Sequence, residues 1–363
     1  MNADFILAIG ELGKEKGIEP ELLFQAVEEA LVTAYKKNFG SNQNVRVDMN
    51  KETGELHVYA QRHIVEEVGD DPNEISLEEA RKVDPRYEVD DIVETEVTPR
   101  NFGRIAAQNA KQVVVQRIRE AERGMVFEKF SSRENDIVTG IIQRMENKNV
   151  YIDLGKAEAI LTPNEQIPGE IYQYHDRMKT YIVEVKKTSK GPQIMVSRTH
   201  PGLLKRLFEL EVPEIHDGLV EIKSVAREPG MRSKISVYTK DENIDPVGAC
   251  VGHKGMRVQT IVNELRGEKI DIVKYSSEPD QYVANALSPA KVVSTEVLEE
   301  EKICRVIVPD YQLSLAIGKE GQNARLAAKL TGWKIDIKSE SQAAEEAEQG
   351  TQEVGVAYEA DEA

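Results

Sequence analysis

The chain has 363 residues, of which 47 are basic and 64 acidic, so its formal net charge is −17. This length predicts roughly two to four domains. No run of about eighteen apolar residues occurs, which argues against a membrane span, and the N-terminus lacks the basic region of a signal peptide. The two cysteines, Cys250 and Cys304, belong to no Cys/His cluster, which argues against a zinc site and a disulfide framework. We expect a cytoplasmic protein that acts as a monomer and uses no metal or cofactor.

The acidic excess is unevenly distributed along the chain. Residues 1–130 carry 17 basic and 26 acidic side chains, residues 131–338 carry 30 of each, and residues 339–363 carry eight acidic side chains and no basic one. Affinity for phosphate depends on local basic patches and not on total charge. The composition therefore argues against promiscuous binding to duplex DNA, but it allows short contacts with single-stranded nucleic acid.

Residues 1–130 are predicted to form an α/β domain. The apolar periodicity and the glycine stops indicate helices at 3–17 and 20–39, and a β-hairpin follows. A long helix is expected from about residue 100 to 130, and it is rich in arginine and lysine. An acidic domain with one basic helix is suited to contact two different partners, although a solvated helix face explains the same charges.

Five short strands, separated by turn signals, are predicted in residues 131–199. Five strands in about 65 residues fit a small OB-fold β-barrel. In the second strand Val150 and Ile152 alternate with Tyr151, so the tyrosine should point outward, where its ring could stack on a base. Arg198, at the end of the last strand, is a second candidate for RNA binding in the barrel.

Two Gly-x-x-Gly loops organise the rest of the chain. Each of them, Gly252–Gly255 and Gly318–Gly321, follows an apolar run and precedes an amphipathic helix, and both copies end in the pattern L-x-G-x-K-I-D-I. Glycines remove Cβ bulk and allow positive φ, and the helix that follows directs free N–H groups at the loop. This arrangement is suited to hold a phosphodiester backbone, as KH modules do with single strands. The alternative is that both loops are flexible corners without a ligand.

The repeat predicts two tandem KH modules, 200–276 and 277–338, in which a helix and a hairpin precede the loop, as in the bacterial (type II) topology. In the second module the stripe Ala324, Ala327 and Ala328 is expected to be buried. The RNA-binding candidates are Gly252, His253, Lys254, Gly255 and Arg257 in the first copy, and Gly318, Lys319, Glu320, Gly321, Gln322, Asn323 and Arg325 in the second. Residues 339–363 are acidic and poor in large apolar residues, so they are predicted to be a short disordered tail.

This order of domains closely resembles the NusA family of bacterial transcription elongation and termination factors. The most specific stretches are 149–170, 186–215 and the two loop regions, and the barrel is similar to the ribosomal S-one type. The resemblance implies a multidomain α+β protein that is not an enzyme. It implies binding to RNA polymerase at the β-subunit flap, beside the RNA exit channel, and to nascent single-stranded RNA, with effects on pausing, intrinsic termination and antitermination.

The resemblance also implies finer assignments. Lys36, Lys37 and Arg104 become candidates for contact with an RNA hairpin in the exit channel. Other Nus factors and a ribosomal protein are the expected partners in antitermination. Some family members carry acidic C-terminal repeats that contact the polymerase α subunit and cover the RNA face. Residues 339–363 do not resemble such repeats, so this regulation is not expected here.

Two other functions compete with this interpretation. Barrel and KH modules also accompany phosphorolytic exoribonucleases, but the sequence shows no paired carboxylate constellation, no phosphate loop and no hydrolase motif. The other is a stand-alone single-stranded-RNA chaperone or a translation-linked RNA-binding protein, which composition alone does not exclude. Binding of RNA polymerase by residues 1–130 alone would distinguish a NusA-type elongation factor from such a stand-alone RNA binder.

Overall fold

The computed structural model describes residues 3–39, 42–69 and 72–346. The chain forms two compact units that divide between Glu128 and Lys129. Within the described ranges, no helix combines the length and the apolar character needed to cross a lipid bilayer.

In the first unit, helices pack on one side of a β-sheet. Its elements are α1 (Ala3–Lys16), α2 (Pro20–Phe39), β1 (Asn44–Met49), β2 (Leu56–Val65), β3 (Glu74–Ser76), α3 (Leu77–Val83), β4 (Ile92–Glu96) and α4 (Phe102–Ser131), whose last residues enter the second unit. Strand β2 pairs antiparallel with β1 and β4 and parallel with β3. The core joins Ile9, Leu31, Val58 and Phe102. The predicted helices and the hairpin are confirmed.

The second unit begins with a closed barrel, whose strands are ordered β5-β6-β7-β9-β8. The strands are β5 (Ile137–Glu146), β6 (Asn149–Asp153), β7 (Glu158–Leu161), β8 (Arg177–Thr188) and β9 (Gly191–Ser197). Val150 and Ile152 are buried inside it, and Tyr151 lies half-buried on the outside. The predicted five strands and their alternation are confirmed.

Two modules with the same topology follow the barrel. The first has α5 (Pro201–Glu211), α6 (Pro213–His216), β10 (Glu221–Glu228), β11 (Arg232–Tyr238), α7 (Pro246–Val251), α8 (Met256–Glu264) and β12 (Lys269–Lys274); the second has α9 (Pro279–Ala286), β13 (Ser294–Leu298), β14 (Ile303–Val308), α10 (Leu313–Ile317), α11 (Gln322–Thr331) and β15 (Lys334–Ser339). In each sheet the middle strand pairs antiparallel with the preceding strand and parallel with the last one. This is the predicted bacterial KH topology.

Three details differ from the sequence prediction. The sequence predicts one helix over residues 202–215 at the start of the first module, but this helix breaks before Pro213, because proline has no N–H to continue it. In α11 the residues buried to more than nine-tenths are Asn323, Leu326, Ala327 and Leu330. The predicted stripe was therefore wrong at Ala324 and Ala328, which are only half-buried, because the larger leucines fill the core.

The acidic tail is not disordered from its first residue. Residues 340–346 are helical, and the helix starts with a reciprocal capping box: Ser339 Oγ accepts from the Gln342 N–H, and Gln342 Oε1 accepts from the Ser339 N–H. Lys338 also pairs with Glu346. The sequence Ser-x-x-Gln was a readable signal for this helix. The rest of the predicted tail, residues 347–363, lies outside the described residues.

Candidate nucleic-acid interface

The two Gly-x-x-Gly loops have the same backbone conformation. Gly252 has φ 73° and ψ 177°, and Gly318 has φ 78° and ψ 170°. The third loop residue is left-handed in both copies, with φ 49° at Lys254 and φ 52° at Glu320, and the closing glycine has φ 78° or 74°. Left-handed non-glycine residues are rare because Cβ opposes them. The repeat therefore specifies a particular loop shape and not merely a flexible corner.

A side chain two residues beyond each loop braces that shape. A Cβ on Gly252 would lie 2.6 Å from Arg257 Cγ, and a Cβ on Gly318 would lie 2.8 Å from Asn323 Cβ. Arg257 Nη1 donates to the Ala249 carbonyl at 2.6 Å. Asn323 Nδ2 likewise donates to a carbonyl of the helix before its loop, 3.0 Å away. The first glycine of each loop is thus required by close packing as well as by its φ.

This bracing corrects one predicted RNA contact and gives another candidate, Arg257, a structural role. Asn323 is buried, so its side chain cannot reach an RNA strand, and that prediction was wrong. The Arg257 guanidinium is half-buried and pairs with Glu214 at 2.9 Å. Both side chains shape the loop, and the sequence pattern could not distinguish this role from direct contact.

The remaining loop residues point into solvent. His253 and Lys254 are exposed in the first loop, and Lys319 and Glu320 are exposed in the second. Helices α8 and α11 begin directly behind these side chains, so free N–H groups and the positive end of the helix dipole lie beside them. An anionic backbone is the chemistry that such a site favours.

Gln322 and Arg325 are held by the other module. Arg325 Nε donates to Glu228 Oε1 at 2.6 Å, and Gln322 Nε2 donates to Glu228 Oε2 at 2.8 Å. The hydrogen bond from Arg325 lowers the pKa of the Glu228 carboxyl. Because Glu228 ends β10, the first module orients the start of α11 in the second module.

Arg198 is buried and does not face RNA, so this prediction was wrong. Its side chain is 1% exposed and forms an ion pair with Glu170, which is 2% exposed. The guanidinium also donates to the Lys179 carbonyl at 2.9 Å and to the Glu264 carbonyl at 3.0 Å. Glu264 is the last residue of α8, the helix that starts at the first loop. Arg198 therefore connects the barrel to the loop-bearing helix.

Tyr151 keeps only one ring face available. The Arg144 guanidinium lies 3.7 Å from the ring centroid, and Glu158 and Glu146 hold that guanidinium at 2.8 and 2.6 Å. A base could stack only on the opposite face of the ring.

The three hairpin-contact candidates lie on neighbouring helix ends in the first unit. Lys36 and Lys37 are in the last turn of α2, and Arg104 is in the first turn of α4. The rings of Phe39 and Phe102 join these ends, with centroids 6.3 Å apart. Lys37 and Arg104 are exposed, and Lys36 is half-buried.

An exposed apolar strip lies beside the second loop, and the sequence analysis missed its aromatic residue, Tyr311. Tyr311 is 81% exposed, and Leu315 and Ile317 are also exposed. Aligning the two loops places Tyr311 opposite Asp245 in the first copy, so comparing the repeats position by position would have found it.

No group of His, Cys, Asp and Glu within the described ranges has the arrangement of a metal site. Cys250 and Cys304 are both buried, and burial raises the pKa of the Cys250 thiol to about 12.

A barrel followed by two KH-type modules, each with a shaped Gly-x-x-Gly loop, defines a protein of the single-strand RNA-binding class. Family models match along the chain: the NusA N-terminal domain at residues 4–124, the S1 RNA binding domain at 131–197, the NusA-like first KH domain at 198–275 and the NusA-like second KH domain at 279–345.

Curated relatives match over nearly the whole chain. The transcription termination/antitermination protein NusA of Halalkalibacterium halodurans is 66% identical over 95% of this chain and 90% of its own length. The protein of the same name from Bacillus subtilis is 65% identical over 95% of this chain and 93% of its own length. The solution structure of the N-terminal domain of NusA from B. subtilis is 56% identical over 34% of this chain and 99% of its own, with a TM-score of 0.31. The chain belongs to the NusA family of transcription termination/antitermination proteins.

Proposed function

We propose that this chain is a non-catalytic transcription elongation factor of the cytoplasm. It binds RNA polymerase near the RNA exit channel, at the β-subunit flap, and it binds the nascent single-stranded RNA. In this way it modulates pausing, intrinsic termination and antitermination, the last with other Nus factors and a ribosomal protein as partners. The observation that carries the RNA-binding part is the repeated loop: the same strained backbone, with exposed cations, at the start of two helices.

The proposal assigns different tasks to the two units. In the first, Lys36, Lys37 and Arg104 support an RNA hairpin. In the second, His253, Lys254 and Lys319 hold phosphates, and Tyr151 offers one ring face to a base. Support for the polymerase contact comes from the family of the N-terminal domain and from the names of the relatives.

A single-round transcription assay tests the proposal. The template carries a hairpin-stabilised pause and an intrinsic terminator, and the cognate polymerase is used with and without the full chain. Longer pauses and more termination are expected. No effect from a protein that still binds single-stranded RNA would instead favour the RNA-chaperone alternative.

Two sets of variants test the RNA-binding and the pausing assignments separately. Replacing His253, Lys254, Lys319 and Glu320 by Asp places carboxylates where phosphate should lie, so single-strand affinity, measured by fluorescence anisotropy, should be lost. Neutralising Lys36, Lys37 and Arg104 should shorten hairpin-stabilised pauses and leave polymerase binding intact. Unchanged affinity in the first set, or unchanged pause half-lives in the second, would contradict the corresponding assignment.

A further inference from the structure

The two KH modules present different side chains at equivalent positions before their loops. In the first, Asp245 uses its carboxylate to cap α7 by accepting from the Val247 N–H at 3.1 Å. In the second, the equivalent residue is Tyr311, which is the most exposed of the large apolar side chains in the described residues. An aromatic ring left in water offers two flat faces for stacking.

The ring begins a strip that leads to the second loop. Tyr311 and Leu315 are spaced four residues apart, which places their side chains on one side of a helical segment. That segment ends at Gly318, and Lys319 follows in the loop. Leu315 is 47% exposed. Its counterpart in the first module is Ala249, a smaller, half-buried residue. At these two positions the first module therefore lacks the aromatic ring and the exposed leucine.

The backbone that carries Tyr311 is held on both sides. Asp310 accepts hydrogen bonds from Ser339 and Ser341, and these lower the pKa of its carboxyl. Gln312 accepts from the Lys291 N–H and donates to Tyr311 Oη at 3.3 Å. A ring on a fixed turn loses little conformational freedom when a ligand stacks on it. Such pre-organisation is useful for a binding platform.

The two loops also differ in charge, and the first loop is the more basic one. The first loop exposes His253 and Lys254, and the second exposes Lys319 beside the carboxylate of Glu320. Phosphate attraction is therefore weaker at the second loop. We propose that the second module holds RNA mainly by stacking one base on Tyr311 and the following strip, whereas the first module holds RNA mainly through charge. This inference rests on the proposed RNA-binding function.

Anisotropy titrations with a fluorescein-labelled single-stranded RNA of mixed sequence test the division. Tyr311→Ala should weaken binding about tenfold, a typical loss for one stacked base, and Tyr311→Phe should restore it. Tyr311→Ala should leave the salt dependence of binding unchanged. Lys254→Gln, the matched variant in the first loop, should reduce the slope of log K against log salt by about 0.7.

A second probe separates stacking from indirect damage. On the same RNA made abasic, which keeps the phosphates and lacks the bases, wild type and Tyr311→Ala should bind equally. An equal loss on the abasic and the normal strand, or no loss on either, would overturn the stacking role. If wild type itself fails to bind the normal strand, the proposed RNA-binding function fails first. Tyr311→Trp offers a direct signal, since its fluorescence should be quenched when a base stacks on it.

Discussion

The first KH module joins the barrel on one side and the second KH module on the other, and the two seams are built differently. At the barrel seam Arg198, which forms a buried ion pair with Glu170 in the barrel, donates to the Glu264 carbonyl of the first KH module and supplements apolar packing. At the KH seam a continuous apolar core runs from Ala226 and Val273 of the first module to residues of α9 and to Leu287 in the second.

Arg198 adds directional hydrogen bonds to the barrel seam. Apolar contact is non-directional. A guanidinium, in contrast, donates hydrogen bonds in fixed directions, so its acceptors must lie at particular positions. Arg198 uses this fork to fix the Glu264 end of α8. Gly230 brings the same module against the barrel, because a Cβ there would lie 2.5 Å from Ile167. The barrel thus sets the orientation of the helix that carries the first loop.

Besides the Arg325–Glu228 ion pair, the KH seam contains a buried lysine. Lys234 is fully buried, and its ammonium donates to Asp271 at 3.0 Å and to the Ser288 carbonyl of the second module at 2.7 Å. Burial lowers the pKa of this lysine, against the attraction of Asp271. The lysine gives the Ser288 carbonyl a hydrogen-bond donor, without which this oxygen would be buried and unpaired. The surrounding apolar side chains supply most of the surface buried at the seam.

Breaking the ion pair should have the largest effect. Arg198→Ala leaves Glu170 buried without its cation and removes the donor to two carbonyls, so the free energy of unfolding at this seam should fall by about 3–5 kcal/mol. Hydrogen exchange of peptides from β8 and α8, measured in urea by mass spectrometry, would report the loss. Trp333, the only tryptophan of the chain, reports on the second KH module and should change less.

Arg206 provides a matched control at the same seam. It donates to the Asn135 carbonyl at 3.0 Å, and its ion pair with Glu209 is partly exposed. Arg206→Ala should cost no more than about 1 kcal/mol. Equal losses in the free energy of unfolding for Arg198→Ala and Arg206→Ala would contradict the prediction that the buried charge contributes more than the exposed one.

Truncation at the KH seam should have the next largest effect. Leu287 is fully buried in the core shared by the two modules, and Leu287→Ala should cost about 3 kcal/mol through lost burial and a cavity. A urea titration followed by Trp333 fluorescence would measure this loss. Because no charge is involved, the loss should be the same at low and high salt; a strong salt dependence would contradict an apolar seam.

A smaller, pH-dependent effect is expected at the barrel seam. His200 links barrel and module: its Nδ1 accepts from the Gly202 N–H at 3.0 Å and caps α5, and its ring stacks on Tyr181. Burial lowers the pKa of His200. The folded state therefore binds fewer protons than the unfolded state, so this contribution is present above the unfolded pKa of about 6.5 and is lost as pH falls through the folded pKa.

The expected loss is about 1 kcal/mol, the typical contribution of a helix cap. Exchange of α5 peptides at about pH 7.5 and about pH 5.5 would measure it, since the two values bracket the unfolded histidine pKa. His200→Asn keeps a capping oxygen and does not titrate, so it should remove this difference. The same pH difference in the asparagine variant would assign it to other groups.

Local signals in the sequence were sufficient for much of the architecture. Helix and strand periodicity, proline and glycine positions and the repeated loop pattern depend on neighbouring residues, so the barrel, both KH modules and their loops could be predicted. The same reasoning was wrong for Arg198 and Asn323. Both are polar residues close in sequence to the predicted RNA-binding surface. Sequence proximity does not show whether such a side chain faces the RNA or the protein interior.

Only the tertiary structure decided which polar groups are free to meet RNA. Arg198 pairs with a glutamate 28 residues away, and Arg325 with one 97 residues away. The first pair meets only when the barrel folds and the second only when the two KH modules pack together, because tertiary packing brings distant charges within hydrogen-bonding range and removes water from between them. The sequence by itself determined two loops with a shape suited to phosphate. Tertiary packing determined that Arg198 and Asn323 are buried. It left four side chains exposed in or beside those loops: His253, Lys254, Lys319 and Tyr311.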